Sequence, residues 1–252
     1  NGQQKTIIKY NANNKLNGKY QRWFENGQLE IQSNYNDGKR NGVYLKWHEN
    51  GQLNVQMKYK DGLSNGLAQS WNENGQIKGS ANFKDDILDG PAQTWYENGK
   101  LKSETTYKDG SENSVFTSWF SNGNKDEEGL YVMGKKEGLH TEWYLNGNIS
   151  VTENFKNGLL NGTKKEYDQD GTIKYAYEYY YDYSLEASNI SSQSFYTNGI
   201  LTQISEYRNG VYSFKDEALK SVSWYDVQTG KKTQFQSYDK NGNPTGKRKY
   251  YN

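Results

Sequence analysis

The sequence predicts an all-β fold: an elongated single antiparallel sheet, a meander or solenoid of tandem 24-residue β-hairpin repeats. Three observations carry this expectation. Trp23, Trp47, Trp71, Trp95, Trp119 and Trp143 recur every 24 residues, and Tyr167 continues the series. Three and four residues after each tryptophan comes Asn-Gly, as at Asn26-Gly27, Asn50-Gly51, Asn74-Gly75, Asn98-Gly99, Asn122-Gly123 and Asn146-Gly147. A second aromatic then recurs at Tyr35, Tyr59, Phe83, Tyr107, Tyr131, Phe155 and Tyr179.

Each element follows from the repeat unit. The position five residues before the tryptophan is Gly18, Gly42, Gly66, Gly90, Ser114, Gly138 or Gly162, and most copies close on a further glycine such as Gly38 or Gly62. The two segments between these glycines carry β-branched and aromatic residues, so they read as strands, and Asn-Gly between them marks a hairpin. A three-residue Glu-Asn-Gly loop, a type I turn closed by a left-handed glycine, keeps Trp23, Leu29, Ile31 and Tyr35 on one packing face. A two-residue loop splits them. With that register the tryptophans Trp23, Trp47, Trp71, Trp95, Trp119 and Trp143 form the structural core of the repeats. Tyr20, Phe24, Tyr44, His48, Tyr96, Phe116, Phe120 and Tyr144 fall on the opposite, polar face, which is the expected ligand face. The rings are expected to make one continuous stripe that leaves no hollow in which chemistry could occur.

Residues 1–181 form the regular array, and residues 182–252 read as degenerate repeats with insertions that continue the same sheet. Phe195-Tyr196-Thr197-Asn198-Gly199 with Tyr207 and Gly210 restores the pattern, as does Trp224 with Tyr238 and Gly242. The tyrosine-rich run from Tyr175 to Tyr183 reads either as cover for an exposed strand edge or as a recognition loop, with edge cover favoured.

Composition removes several classes of function. Only 32% of the 252 residues are hydrophobic, so a thick apolar core is excluded, yet 23 tyrosines and 7 tryptophans argue against disorder. Basic and acidic residues balance at 31 and 30, leaving no field that favours nucleic acid or acidic lipid. There is no cysteine, hence no disulfide, thiolate metal site or cysteine nucleophile. No apolar run is long enough for a transmembrane helix. The chain opens at Asn1 without methionine, which fits a trimmed leader and leans localisation towards an exported bacterial protein, secreted, periplasmic or at the surface, with a cytoplasmic one as the alternative.

The unit as it stands in Asp89-Gly90-Pro91-Ala92-Gln93-Thr94-Trp95-Tyr96-Glu97-Asn98-Gly99-Lys100-Leu101, running on to Tyr107-Lys108-Asp109-Gly110, closely resembles the variant MORN repeat in its bacterial form. The likeness is strong over about residues 16–181. Chains of this kind are grouped with YwqK-type antitoxins or occur as exported surface proteins. The resemblance implies a curled antiparallel hairpin array with a protein–protein role.

Candidates for chemistry are few. His48 and His140 stand four repeats apart and read as surface replacements for a ring, without a second histidine nearby to share a metal. Asp126-Glu127-Glu128 reads as a solvated acidic patch rather than a cation site. No catalytic residue, metal or cofactor is expected, and the chain reads as a non-enzymatic scaffold. Its expected partner is a protein, either a toxin or a surface protein, or a second copy in a homodimer, with affinity concentrated in a few rings. The alternative is a carbohydrate or cell-wall binding module whose sheet-face rings stack on sugars.

Overall fold

The computed structural model describes residues 5–182, 187–197, 200–207, 219–226, 231–239 and 243–251. Among them lie 23 strands and no helix, and every strand pairing is antiparallel, so the fold is the open sheet of tandem hairpins that the periodicity predicts. The chain divides into two compact units, Asn1–Gly123 and Asn124–Asn252.

In the first unit, strand Gly18–Trp23 pairs with Leu29–Asn36, Gly42–Trp47 with Leu53–Lys60, Gly66–Trp71 with Ile77–Lys84, and Ile87–Trp95 with Leu101–Lys108. The tip of each hairpin has the expected three-residue loop. Phe24 N donates to Gln28 O at 2.8 Å and Gly27 N to Phe24 O at 3.0 Å, with Gly27 at φ 86°. This positive φ is why glycine ends the loop. The return turn is of the other kind. Asp37 and Gly38 both have positive φ, 48° and 85°, and the flanking Asn36 and Lys39 pair, a two-residue type I′ turn. These four hairpins thus alternate one turn type with the other.

After each return turn the strand kinks. Lys39–Arg40 and Gly42–Trp47 both pair with Leu29–Asn36, and between them Asn41 N donates to Asn34 O at 2.8 Å. Gly42, at φ 99°, absorbs the change of direction.

The register departs from the expected one at a single residue per hairpin. Trp23 pairs with Leu29, as the loop requires, but Arg22 pairs with Ile31, so Glu30 is an extra residue and a bulge. The same shift falls at Asn54, Lys78 and Lys102, and in the second unit at Ser150 and Lys174. A bulge exchanges the faces of every residue beyond it. Trp23 and Leu29 therefore share one face, while Ile31 and Tyr35 lie on the other with Tyr20. The expected grouping of Trp23, Leu29, Ile31 and Tyr35 is corrected accordingly: the loop parity was right, and a second irregularity undid its consequence.

The sheet is thin. Among the described residues only Ala68 and Val222 are buried hydrophobic side chains, and the six repeat tryptophans are half-buried. Order comes instead from contacts between successive hairpins. The turn asparagine works twice. Asn26 Oδ1 accepts from Gln28 N at 2.9 Å, closing its own turn, and Asn26 Nδ2 donates to Glu49 O of the next turn at 2.9 Å. Asn50 repeats the pair with Gln52 N at 3.0 Å and Glu73 O at 2.7 Å, and Asn98 does so with Lys100 N and Ser121 O, both at 3.0 Å. Asn74 breaks the row, because its Nδ2 turns back to Gln76 Oε1 at 2.9 Å.

The second unit continues the design from Lys125–Val132 through Lys135–Trp143, Ile149–Lys156, Leu159–Tyr167 and Ile173–Asp182, each paired with the next. Strand Ile173–Asp182 also pairs with Ala187–Thr197. The tyrosine-rich segment as far as Asp182 is thus an interior strand bonded on both sides, neither an edge cover nor a loop. Its tyrosines sit where every repeat has its second strand. Tyr183, Asn198-Gly199, Gly210 and Gly242 lie outside the described residues.

Candidate functional site

The ring face of the first unit is built by cross-strand pairing. Tyr20 and Ser33 oppose one another, as do Tyr44 and Met57, which brings Tyr20 against Tyr35 and Tyr44 against Tyr59. Their ring centroids are 5.9 and 6.0 Å apart at 66° and 79°, edge to face. Such pairs contribute about 0.5–1.5 kcal/mol beyond the area they bury. Arg40 spans the two pairs. Its guanidinium lies 4.9 Å from the Tyr44 ring and 5.4 Å from the Tyr59 ring, and its Nε donates to Tyr35 Oη at 3.2 Å. Nearer the hairpin tip Glu30 is buried and held by Arg22, whose Nε donates to it at 2.7 Å.

This row of rings stops at the third repeat. The position of Tyr20 and Tyr44 is taken by Ala68 and then Ala92, and the facing second strand offers Gly79 and Ala81. The result is a shallow hollow of about 380 Å³ lined by Val55, Met57, Ala68, Ala81, Phe83, Leu88, Ala92 and Tyr107. A second hollow of about 720 Å³ adjoins it at the hairpin tips, lined by His48, Asn54, Asn72, Glu73, Asn74, Lys78 and Glu97, and the two share Val55 and Ser70. The face opposite the tryptophans is therefore interrupted by a recess, where no hollow was expected. Repeat position, read for the ring that is missing rather than the ring that is present, is the signal that would have found it.

The expected ligand residues separate into two groups. Tyr20, Tyr44 and Phe116 belong to the ring face, Phe116 by alternation from Ser118, which pairs with Ser103. Phe24, His48, Tyr96 and Phe120, and Tyr144 in the second unit, follow the tryptophan directly and flank the turns. Three of these bond the next repeat: His48 Nε2 to Trp71 O at 2.9 Å, Tyr96 Oη to Trp119 O at 2.7 Å, and Tyr144 Oη to Tyr167 O at 2.7 Å. Asn72 stands at this position in the third repeat, where the polar hollow opens.

The tryptophan face carries Trp23, Trp47, Trp71 and Trp95 opposite Leu29, Leu53, Ile77 and Leu101. Trp119 and Trp143 follow in the same series, Trp143 opposite Ile149.

In the second unit the ring position is His140, which is only 2% exposed and so is a buried ring rather than the surface replacement expected. Its ring lies between Tyr131 and Phe155, at 5.3 and 5.1 Å, and its Nε2 bonds Leu130 O at 2.9 Å. A Cβ on Gly129 would fall about 2.0 Å from Nδ1, so glycine there makes room for the imidazole. Burial is the main cause that holds the His140 pKa below its usual value. The acidic run splits across the sheet: Glu127 pairs with Lys136 at 3.2 Å, and Glu128 with Lys125. Among the described residues no group of three His, Asp or Glu is placed to hold a metal ion, and no helix is long and apolar enough to cross a membrane.

The fold defines a class: an array of tandem β-hairpin repeats in an open antiparallel sheet. Five segments, residues 16–37, 40–61, 64–85, 88–109 and 136–157, match the family described as MORN repeat variant, a type of repeat that generally builds scaffolds for binding. Comparison with curated proteins gives no match. Among solved structures, one titled as the crystal structure of TcdB2-TccC3 is similar over 99% of this chain at 11% identity and a TM-score of 0.21. Another, of TcdB2-TccC3-TEV, is similar over 96% at 12% identity and a TM-score of 0.20. The chain spans 17% and 14% of those two chains, and likeness at this level carries no argument.

Proposed function

We propose that this chain is a non-enzymatic scaffold that binds a protein partner through the ring face of its first unit. The observation that supports this most is the apolar hollow of about 380 Å³ beside paired rings, because interfaces concentrate affinity where a large side chain enters a desolvated recess rimmed by aromatics and arginine. Tyr44 pairs across the strands with Met57, which lines the hollow, and Arg40 stacks on Tyr44 and Tyr59. The rings are engaged edge to face with one another, which favours a protein surface over a sugar that needs an open flat ring.

Within this reading the partner is a toxin that the chain neutralises by covering it, or a surface protein met after export. Direct calorimetric titration of the purified chain against the purified product of the adjacent reading frame tests the first. Binding that weakens with Tyr44→Ala supports the ring face, and binding unchanged by Tyr44→Ala and Tyr20→Ala contradicts it.

A further inference from the structure

We propose that the two adjoining hollows of the third and fourth repeats form one composite site for a basic protein segment anchored by a large apolar side chain. This deepens the scaffold reading and rests on it. Four departures from the repeat coincide here. Ala68 and Ala92 stand where Tyr20 and Tyr44 stand, Gly79 stands where Ile31 and Val55 stand, and Asn72 replaces a ring. Each removes volume, and all four line the same two recesses. The turn asparagine that stitches successive tips elsewhere is also turned back here, at Asn74, where the polar recess opens.

The chemistry of the walls selects the ligand. The inner recess offers mostly aliphatic and aromatic carbon, from Val55, Met57, Leu88 and Tyr107, with Gln69 and Gln93 among its polar wall residues, which suits an apolar side chain. The outer recess holds Glu73 and Glu97 against the single Lys78. Those two belong to a row, Glu25, Glu49, Glu73 and Glu97, at the first position of four consecutive exposed turns. Adjacent members stand two strands apart, roughly 10 Å at the usual spacing of strands. None of the four makes an ion pair among the described residues. A lysine or arginine close to the apolar anchor therefore meets a carboxylate, and Asn54 and Asn72 offer amide groups to the peptide backbone between them.

Panning a phage-displayed random dodecapeptide library on the full chain tests this, followed by fluorescence anisotropy with the selected peptides. The expected peptides carry a large apolar residue within a few positions of Lys or Arg. The double variant Ala68→Tyr, Ala92→Tyr fills the inner recess with the rings that Tyr20 and Tyr44 already show the fold accepts, and weakens binding at least about tenfold. Glu73→Gln with Glu97→Gln weakens it about fivefold and flattens its fall with salt between about 50 and about 500 mM. These surface changes also keep the test sound should the filled variant not fold. No enrichment, acidic peptides, or retention on peptidoglycan or a glycan array instead of peptides would overturn the proposal. Peptides that keep their affinity for the filled variant and lose it with Tyr20→Ala would overturn this site while leaving the scaffold reading intact.

Discussion

Gly129 and His140 show how one residue type dictates another in a thin sheet. The imidazole occupies the space of a Cβ at position 129, so Gly129→Ala forces the ring out of place and is expected to cost about 1–3 kcal/mol. Urea denaturation checks this, and His140→Ala in the same chain should restore much of the loss. His140 also gives a pH dependence with a definite sign. Its native pKa is held below the usual 6.5, so the native state refuses a proton that the unfolded chain accepts. Its contribution is whole above about pH 6.5 and is lost as pH falls through and below that value. The melting temperature should drop from pH 7.5 to pH 5.5, and His140→Phe should flatten that drop. The charges that bear on it, Lys136, Glu127 and Glu153, remain in both chains. Met133 is the other informative residue. It has φ 51°, in a return turn that elsewhere uses Asp37, Asp61 or Asp109, and methionine gains nothing from the left-handed region. Met133→Asn should raise stability by up to about 1 kcal/mol, read as a higher urea midpoint.

At the scale of the hairpin, both turns were legible and the bulge was not. Asn-Gly with its preceding glutamate specified a three-residue loop because parity demanded an odd number. The bulges at Glu30, Asn54, Lys78 and Lys102 fall on no single residue type, so no residue marks them in the sequence, and the strand beyond each presents the reverse of the faces that strict alternation predicts. The second role of the turn asparagine was hidden for a different reason. Donation of Asn50 Nδ2 to Glu73 O needs only a backbone carbonyl, which every residue supplies. Asn50→Asp keeps the oxygen that closes the turn and loses the donor, so it should cost about 0.5–1.5 kcal/mol, and Asn50→Ala more. Asn74→Asp should cost less than Asn50→Asp, because Asn74 makes no such bond to the next turn. Chemical denaturation of the three variants orders them.

Across the array, stability is spread over many nearest-neighbour links rather than gathered in a core, as expected when each repeat touches only its neighbours. Periodicity exposed this architecture at once, since six of the seven tryptophans recur every 24 residues with Asn-Gly three and four residues after each. The candidate site was less legible because it is made of absences: Ala68, Gly79 and Ala92 draw attention only when set against the rings and larger side chains of other repeats. The same regularity makes the register the hinge of the whole account, for the ring pairs and the hollows exist only if Tyr20 and Tyr35 share a face. The chain has no cysteine, so engineered pairs report on register without background. Cysteines at Gln21 and Gln32, which face one another across the hairpin, should form a disulfide quantitatively on mild oxidation. Cross-linking of a Tyr20→Cys, Gln32→Cys pair instead, with the first pair staying reduced, is the result expected of a hairpin without the bulge and would contradict the account.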